Sequence, residues 1–334
     1  MNDYYKIFLD QLNLISQVNR KKAANIFNVR KSYRTAQNTK DPVHPAFPQA
    51  ISIEPTTACN LRCPECVSGL RAFTRPTGHI KEEVFRRIID QLSDHLIYLT
   101  FYFQGEPYLV PHFHEMVAYA KSKGIYVATS TNAHFIDPEA ILASGIDKII
   151  ISVDGANQES YQKYRIGGDL TKVLDNTKKL IKARGRKAKP FVDFQFVVFR
   201  HNEHEMKEAK SIARELGVDR VTFKSAQIYG SDDPNNLLPA SAKSRYEKDN
   251  EGNLHIKSAW SDKCWRMWSS CVFTWDGDIV PCCFDKDAKH KMGNIMDQDF
   301  SEIWNGPAYL NFRQQLLKSR SEIDICKNCT EGLK

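Results

Sequence analysis

Between residues 50 and 227 strand-like and helix-like segments take turns, and this alternation limits the possible folds more than any other feature of the chain. Segments 50–54, 97–103, 125–131, 148–153, 191–199 and 219–225 read as strands. Helices are expected between them, near 81–94, 111–123, 137–144, 157–184 and 203–216. Six βα units in succession imply parallel strands joined by right-handed crossovers. The pattern predicts an α/β domain and fits a barrel and an open doubly wound sheet equally well. In either, chemistry belongs at the C-terminal ends of the strands.

Residues 4–28 place Ile7, Phe8, Leu12, Ile15, Ala23 and Ile26 at roughly helical spacing, so one or two helices precede this domain. Asp41-Pro-Val-His-Pro-Ala-Phe-Pro48 cannot be helical and marks a linker. Residues 229–262, with Gly230-Ser-Asp-Asp-Pro234 and Asp249-Asn-Glu-Gly-Asn253, are polar and read as a connector with room for a hairpin. The expected organisation is a basic helical arm and linker over 1–49 and a βα domain over 50–228. The connector follows over 229–262, then a small C-terminal domain over 263–334.

The net charge is +7, and residues 1–50 hold eight basic against three acidic side chains. A solvated helical arm is the plain reading; attraction to an anionic substrate, a lipid headgroup or nucleic acid is the sharper one. Aromatic residues are too sparse among these charges for a single-strand binder, so nucleic acid is not an expected partner. No apolar run approaches the ~20 residues that span a bilayer, and the first residues carry no signal-peptide pattern. Nine cysteines, an odd and clustered set, favour metal ligation in a reducing cytoplasm over a disulfide framework.

Three of them fall in Cys59-Asn-Leu-Arg-Cys63-Pro-Glu-Cys66. A loop this tight can bring three sulfurs to one inorganic cluster, because thiolates are soft ligands suited to Fe–S or zinc. A structural zinc site needs a fourth ligand; the next cysteine is Cys264, and the nearest downstream histidine is His79, across a Pro-Gly region. A cubane held by three cysteines keeps one iron open.

This spacing resembles the radical S-adenosylmethionine (SAM) superfamily, whose signature is Cys-x3-Cys-x2-Cys. Ile51-Ser-Ile-Glu-Pro-Thr-Thr-Ala58, a short apolar strand running into the loop, is the family's context for that motif. The resemblance implies an incomplete (β/α)6 TIM-type barrel with the cluster loop after the first strand. It also implies a [4Fe–4S] cluster on Cys59, Cys63 and Cys66, SAM chelated by the open iron, and a flavodoxin- or ferredoxin-type electron donor. Reductive cleavage of SAM would then give a 5′-deoxyadenosyl radical that takes a hydrogen atom from substrate. Gln104-Gly-Glu-Pro107 is similar to the family's Gly-Gly-Glu-Pro element, so Gly105, Glu106 and Pro107 are expected beside the SAM amino group. Thr131, Ser152 and Arg165 match positions that contact SAM, Arg165 through its carboxylate. Helix N-capping is the competing reading of Thr131 and Ser152, and a helix C-terminal cation that of Arg165. The chain departs from the pattern at Glu65, where an aromatic residue is usual, and at Gln104, which replaces a glycine. Gln195 and Lys224 are placed to point toward substrate.

The tail holds Cys264, Cys271, Cys282, Cys283, Cys326 and Cys329. Asp276-Gly277 between apolar runs signals a hairpin, and the segment after Asp299 reads as a helix. The pattern resembles the SPASM/twitch auxiliary domains of radical SAM enzymes. It implies that Cys264, Cys282, Cys326 and Cys329 hold one auxiliary [4Fe–4S] cluster. A zinc knuckle on the same four thiols stays open, and Cys271 and Cys283 are expected to pack as small apolar residues, with Cys271 an alternative ligand. Four protein ligands leave no open iron, which points to electron transfer and net oxidation. A small-molecule or sugar alcohol is the expected substrate. Peptide or protein modification, or epimerisation, is the alternative, and an Fe–S redox sensor or electron carrier is the non-enzymatic one.

Overall fold

The computed structural model describes residues 3–228, 233, 235–240, 243–257 and 262–330, so of the stretch 230–234 only Asp233 lies among the described residues. The N-terminal arm is two helices, α1 (Asp3–Ser16) and α2 (Arg20–Thr39). Asn19 caps α2 by accepting from Lys22 N. α2 runs well past residue 28, and Val29, Ser32 and Ala36 continue its buried face.

The alternating region follows as β1 (Ala50–Ile53), α3 (Val67–Leu70), α4 (Glu82–Leu92), β2 (Tyr98–Thr100), α5 (Phe113–Ser122) and β3 (Tyr126–Thr131). It continues with α6 (Pro138–Ser144), β4 (Lys148–Ser152), α7 (Gln158–Tyr164), α8 (Leu170–Arg184), β5 (Phe191–Val198), α9 (Met206–Leu216) and β6 (Arg220–Ser225). β1 to β6 pair in sequence order, all parallel. The helix expected over 157–184 is two helices. Gly167 at φ +84° and the new cap Asp169 separate them, and the break leaves Arg165 at the end of α7.

After β6 a hairpin of β7 (Tyr246–Lys248) and β8 (Leu254–Ile256) occupies the connector. Next come α10 (Arg266–Ser269), β9 (Ser270–Phe273), β10 (Asp278–Val280), β11 (Gly293–Asn294), α11 (Phe300–Trp304) and α12 (Pro307–Lys318). β9 and β10 form the expected hairpin, with Gly277 at φ +88° in its turn. β9 also pairs in parallel with β1, so one sheet of nine strands runs β11-β10-β9-β1-β2-β3-β4-β5-β6. The C-terminal cysteine region thereby extends the free edge of the partial barrel.

The sheet has two unlike faces, as period-two alternation requires. Ile51, Leu99, Val127 and Ile149 are fully buried against the helices, where α4 supplies Phe85, Ile88, Ile89 and Leu92. Ser52, Tyr98, Thr100, Ala128 and Ile150 point the other way and line an inner cavity of about 340 Å³. The helix-side core is continuous from Val29 of α2 through the strands to Leu316 of α12.

Candidate functional site

A second cavity, of about 330 Å³, opens at the C-terminal ends of the parallel strands. Cys59, Cys63 and Cys66 reach it from the loop after β1, Gly105 and Glu106 from the loop after β2, and Thr131 and Ser152 from the ends of β3 and β4. Arg165 enters from the end of α7, Gln195 from β5 and Lys224 from β6. That strands as far apart as β1 and β6 share one cavity shows how strongly the sheet is curved. Of the residues expected around the first cluster and SAM, Pro107 alone is outside the lining; it is buried at the start of a single 3-10 turn, Pro107–Leu109.

The cysteine loop is fixed by backbone contacts. Cys66 N donates to Cys63 O at 3.3 Å, and α3 begins at once. Ser68 of α3 accepts from Gly105 N at 2.9 Å, and Glu106 N donates to Ala58 O at 2.8 Å. Gly105 has no substitute here. Its φ is +69°, and a Cβ would sit 2.4 Å from Thr56 O and 2.7 Å from Ala58 O.

The sulfurs carry N–H donors: Leu61 N lies 3.4 Å from Cys59 Sγ and Arg165 Nη1 lies 3.8 Å from Cys63 Sγ. Burial pushes both thiols up, Cys63 to about 11, with Arg165 pulling the other way. Metal binding would displace those protons, because the thiolate is the ligand. Three soft donors with N–H groups aimed at two of them, and no fourth cysteine or histidine in the lining among the described residues, suit an iron–sulfur cluster with an open position.

Beside the loop, the buried Glu106 carboxylate accepts from Thr131 Oγ1 at 2.6 Å, Asn132 N at 2.8 Å and Tyr108 N at 3.3 Å. Burial raises its pKa against the pull of these donors. A carboxylate has about four acceptor sites, so one remains toward the cavity. The helix-capping alternative for Thr131 and Ser152 does not hold, since Asp137 and Asn157 cap the helices that follow. Arg165 does stand at a helix C-terminus, yet its Nε bonds Asp154 Oδ2 at 2.5 Å. Sequence reasoning gave Ser68 no role and took Asn132 and Asp154 only as polar residues at strand ends. Asn132 Nδ2 reaches Asn60 Oδ1 at 2.7 Å and ties β3 to the cysteine loop. The only signal for it was a polar residue just past a strand end.

The second thiol set also converges. Cys282 lies within electrostatic reach of Cys264 and Cys326, and Cys326 within reach of Cys264 and Cys329. Burial pushes Cys326 up to about 12. Arg320, buried among these thiols and donating to Lys263 O at 2.9 Å, is a cation that sequence reasoning missed. Cys271 sits apart, in the core beside Tyr309 and Arg313. Cys283 packs as expected, against Val272, Val280 and Ala288, and it also lines the inner cavity with Tyr102, Arg266 and Lys286.

Fold and site together define an iron–sulfur protein of the partial-barrel class, with one cysteine set at the barrel mouth and another on its extended edge. The profile of the Radical SAM superfamily matches residues 53–213, and that of the SPASM iron–sulfur cluster-binding domain matches residues 264–330. The chain belongs to the radical SAM superfamily and carries a C-terminal SPASM domain. Its cofactors are accordingly [4Fe–4S] clusters and SAM. Among curated relatives it is 24% identical to an AdoMet-dependent heme synthase of Methanosarcina barkeri, over 84% of this chain and 91% of that one. It is 26% identical to a PqqA peptide cyclase of Gluconobacter oxydans, over 80% of each. The fold superposes on Streptococcus suis SuiB bound to precursor peptide SuiA with a TM-score of 0.63, at 15% identity, covering 88% of this chain and 73% of that one.

Proposed function

We propose that the chain is a maturase that takes a hydrogen atom from a peptide or protein side chain, with net oxidation of that substrate. The observation that carries this reading is the single cavity into which Cys59, Cys63, Cys66, Glu106, Ser152 and Arg165 all converge. When bound, the clusters and SAM supply a 5′-deoxyadenosyl radical at the barrel mouth and an electron sink at the sheet edge. Cys59, Cys63 and Cys66 would hold the first cluster, and Cys264, Cys282, Cys326 and Cys329 the second. Glu106 offers its remaining acceptor site to an ammonium, and Arg165 its guanidinium to a carboxylate. Substrate would extend into the inner cavity, past Tyr102 and toward Cys283. The peptide cyclase relative and the SuiB likeness support a peptide substrate. The heme synthase relative favours a second reading, oxidation of a small molecule.

The test is anaerobic reconstitution followed by iron counting, with about eight irons per chain expected for two cubanes. Reductant and SAM should then yield 5′-deoxyadenosine, and Cys59→Ala should abolish it. Extract from cells grown on deuterated medium, split by size, distinguishes the substrates. Deuterium in 5′-deoxyadenosine from the peptide fraction alone supports the maturase, and from the small-molecule fraction alone the second reading. No 5′-deoxyadenosine from a fully loaded protein would sink both.

A further inference from the structure

α1 is turned the wrong way round for a surface helix. Its polar side chains face the protein. Lys6 pairs with Asp219 at 2.8 Å, Asp10 accepts from the Tyr126 hydroxyl, and Asn13 donates to Asp147 at 2.9 Å. Four of its apolar side chains face out: Tyr4, Phe8, Leu12 and Ile15 recur at intervals of four, four and three and are 80%, 52%, 45% and 63% exposed, while Ile7, Leu9 and Leu14 are half-buried. An amphipathic helix ordinarily buries that stripe. Here polar anchors hold it toward solvent.

The surroundings of the stripe are cationic. On one side a groove of about 630 Å³ between α1 and α9 is lined by Lys210 and Arg214. On the other a groove of about 210 Å³ runs along the segment after α8, lined by Arg186 and Lys187. Among the described residues Asp219 is the one carboxylate lining either groove, and it is paired with Arg184 as well as Lys6. The segment 178–189 holds seven Lys or Arg and no acid. Of the acids nearby, Glu208 and Glu215 of α9 line neither groove, and Asp94 pairs with Lys21.

We propose that α1 and its basic rim form a docking surface for an anionic lipid bilayer. Apolar and aromatic side chains beside cations are what a helix lying in the interface plane presents to acidic headgroups. A second copy of the chain fits worse, because a two-fold contact would set one basic rim against the other. Nucleic acid would account for the cations but not for an aliphatic Leu12–Ile15 stripe. The partners of α1 lie at the N-terminal ends of β3, β4 and β6, opposite the cavity of the cysteine loop. Docking therefore leaves the cavity mouth facing away from the lipid, open to substrate from solution.

Flotation of the full chain with phosphatidylcholine vesicles, with and without roughly one-quarter phosphatidylglycerol, tests the proposal. At about 0.1 M salt, binding should be at least about tenfold stronger to the anionic vesicles. Phe8→Ser with Leu12→Ser should lower it about tenfold, with the thermal unfolding midpoint unchanged. Arg186→Glu with Lys187→Glu, which leaves α1 intact, should lower it similarly and flatten its salt dependence. Absent or equal binding to the two vesicle types would overturn the proposal, as would binding indifferent to the charge reversals. So would light scattering that shows a dimer dissolved by the serine pair.

Discussion

The Arg165 guanidinium holds two partners, Asp154 through Nε and Cys63 Sγ through Nη1. Burial works against its charge, and Asp154 with the neighbouring Cys63, Tyr164 and Tyr161 outweighs that and holds it protonated. Only a planar fork with several fixed donors can meet both and still offer an N–H to a carboxylate in the cavity. Arg165→Lys should keep a cation near the fully buried Asp154, and so keep the fold, while losing the fork. The expected outcome is an unchanged iron count with a KM for SAM raised about 10–100-fold, the loss of one charge-assisted contact. Equal losses of iron and affinity would make Arg165 a structural residue alone. Its position was legible only through a family motif. What places it is the break at Gly167 and Gly168, where a Cβ on Gly168 would meet the Tyr161 ring at 2.7 Å. Periodicity ran straight through those two glycines. Asn132 and Ser68 escaped for another reason, since their partners lie on other loops and no local spacing reports them.

Among the elements, the end of β1, the loop after α3 and the β9–β10 turn are joined by one buried ion pair. Glu54 and Arg75 meet through two bonds, at 2.6 and 2.9 Å, with their side chains 0% and 6% exposed. Trp275 N donates to the same carboxylate at 3.2 Å, and Arg75 Nε to Lys286 O at 3.2 Å. Burial raises the Glu54 pKa although Arg75 pulls it down, so the carboxylate depends on its partner. Arg75→Leu should destabilise the chain by about 3–5 kcal/mol, and adding Glu54→Leu should recover much of that loss. Urea unfolding of the two variants is the measurement; a double variant no better than the single would remove the pair from this role. The six parallel strands and most crossover helices were legible because period two and period 3.6 are local. The β1–β9 pairing was not, since alternation states that a strand has a buried face but not which distant strand lies beside it. The helix after Asp299 is likewise two, because Gly306 and Pro307 restart it.

Across the whole molecule, the linker expected to be a mere spacer is a strap between the N-terminal arm and the C-terminal region. Asn25 donates to Phe47 O, Trp304 Nε1 to Ala46 O, and His44 sits wholly buried between the rings of Trp268 and Trp304. The His44 nitrogens meet Ser32 Oγ at 2.8 Å and Trp268 O at 2.7 Å, so one imidazole holds α2 against α10. Burial first, and Arg313 second, hold its pKa down at about 3 against an ordinary value of 6.5. The folded chain therefore keeps His44 neutral, whereas the unfolded chain takes up a proton below pH 6.5. The stability it contributes is whole above that value and is lost as pH falls toward 3. At 1.36 kcal/mol per pH unit, the loss between pH 6.5 and 5 is about 2 kcal/mol. His44→Gln removes the titration while leaving a polar group for the same partners. The variant should begin less stable, yet lose about 2 kcal/mol less than the parent over that interval when urea midpoints are compared at matched cofactor loading. Parallel pH profiles for the two proteins would place the acid sensitivity elsewhere than in this strap.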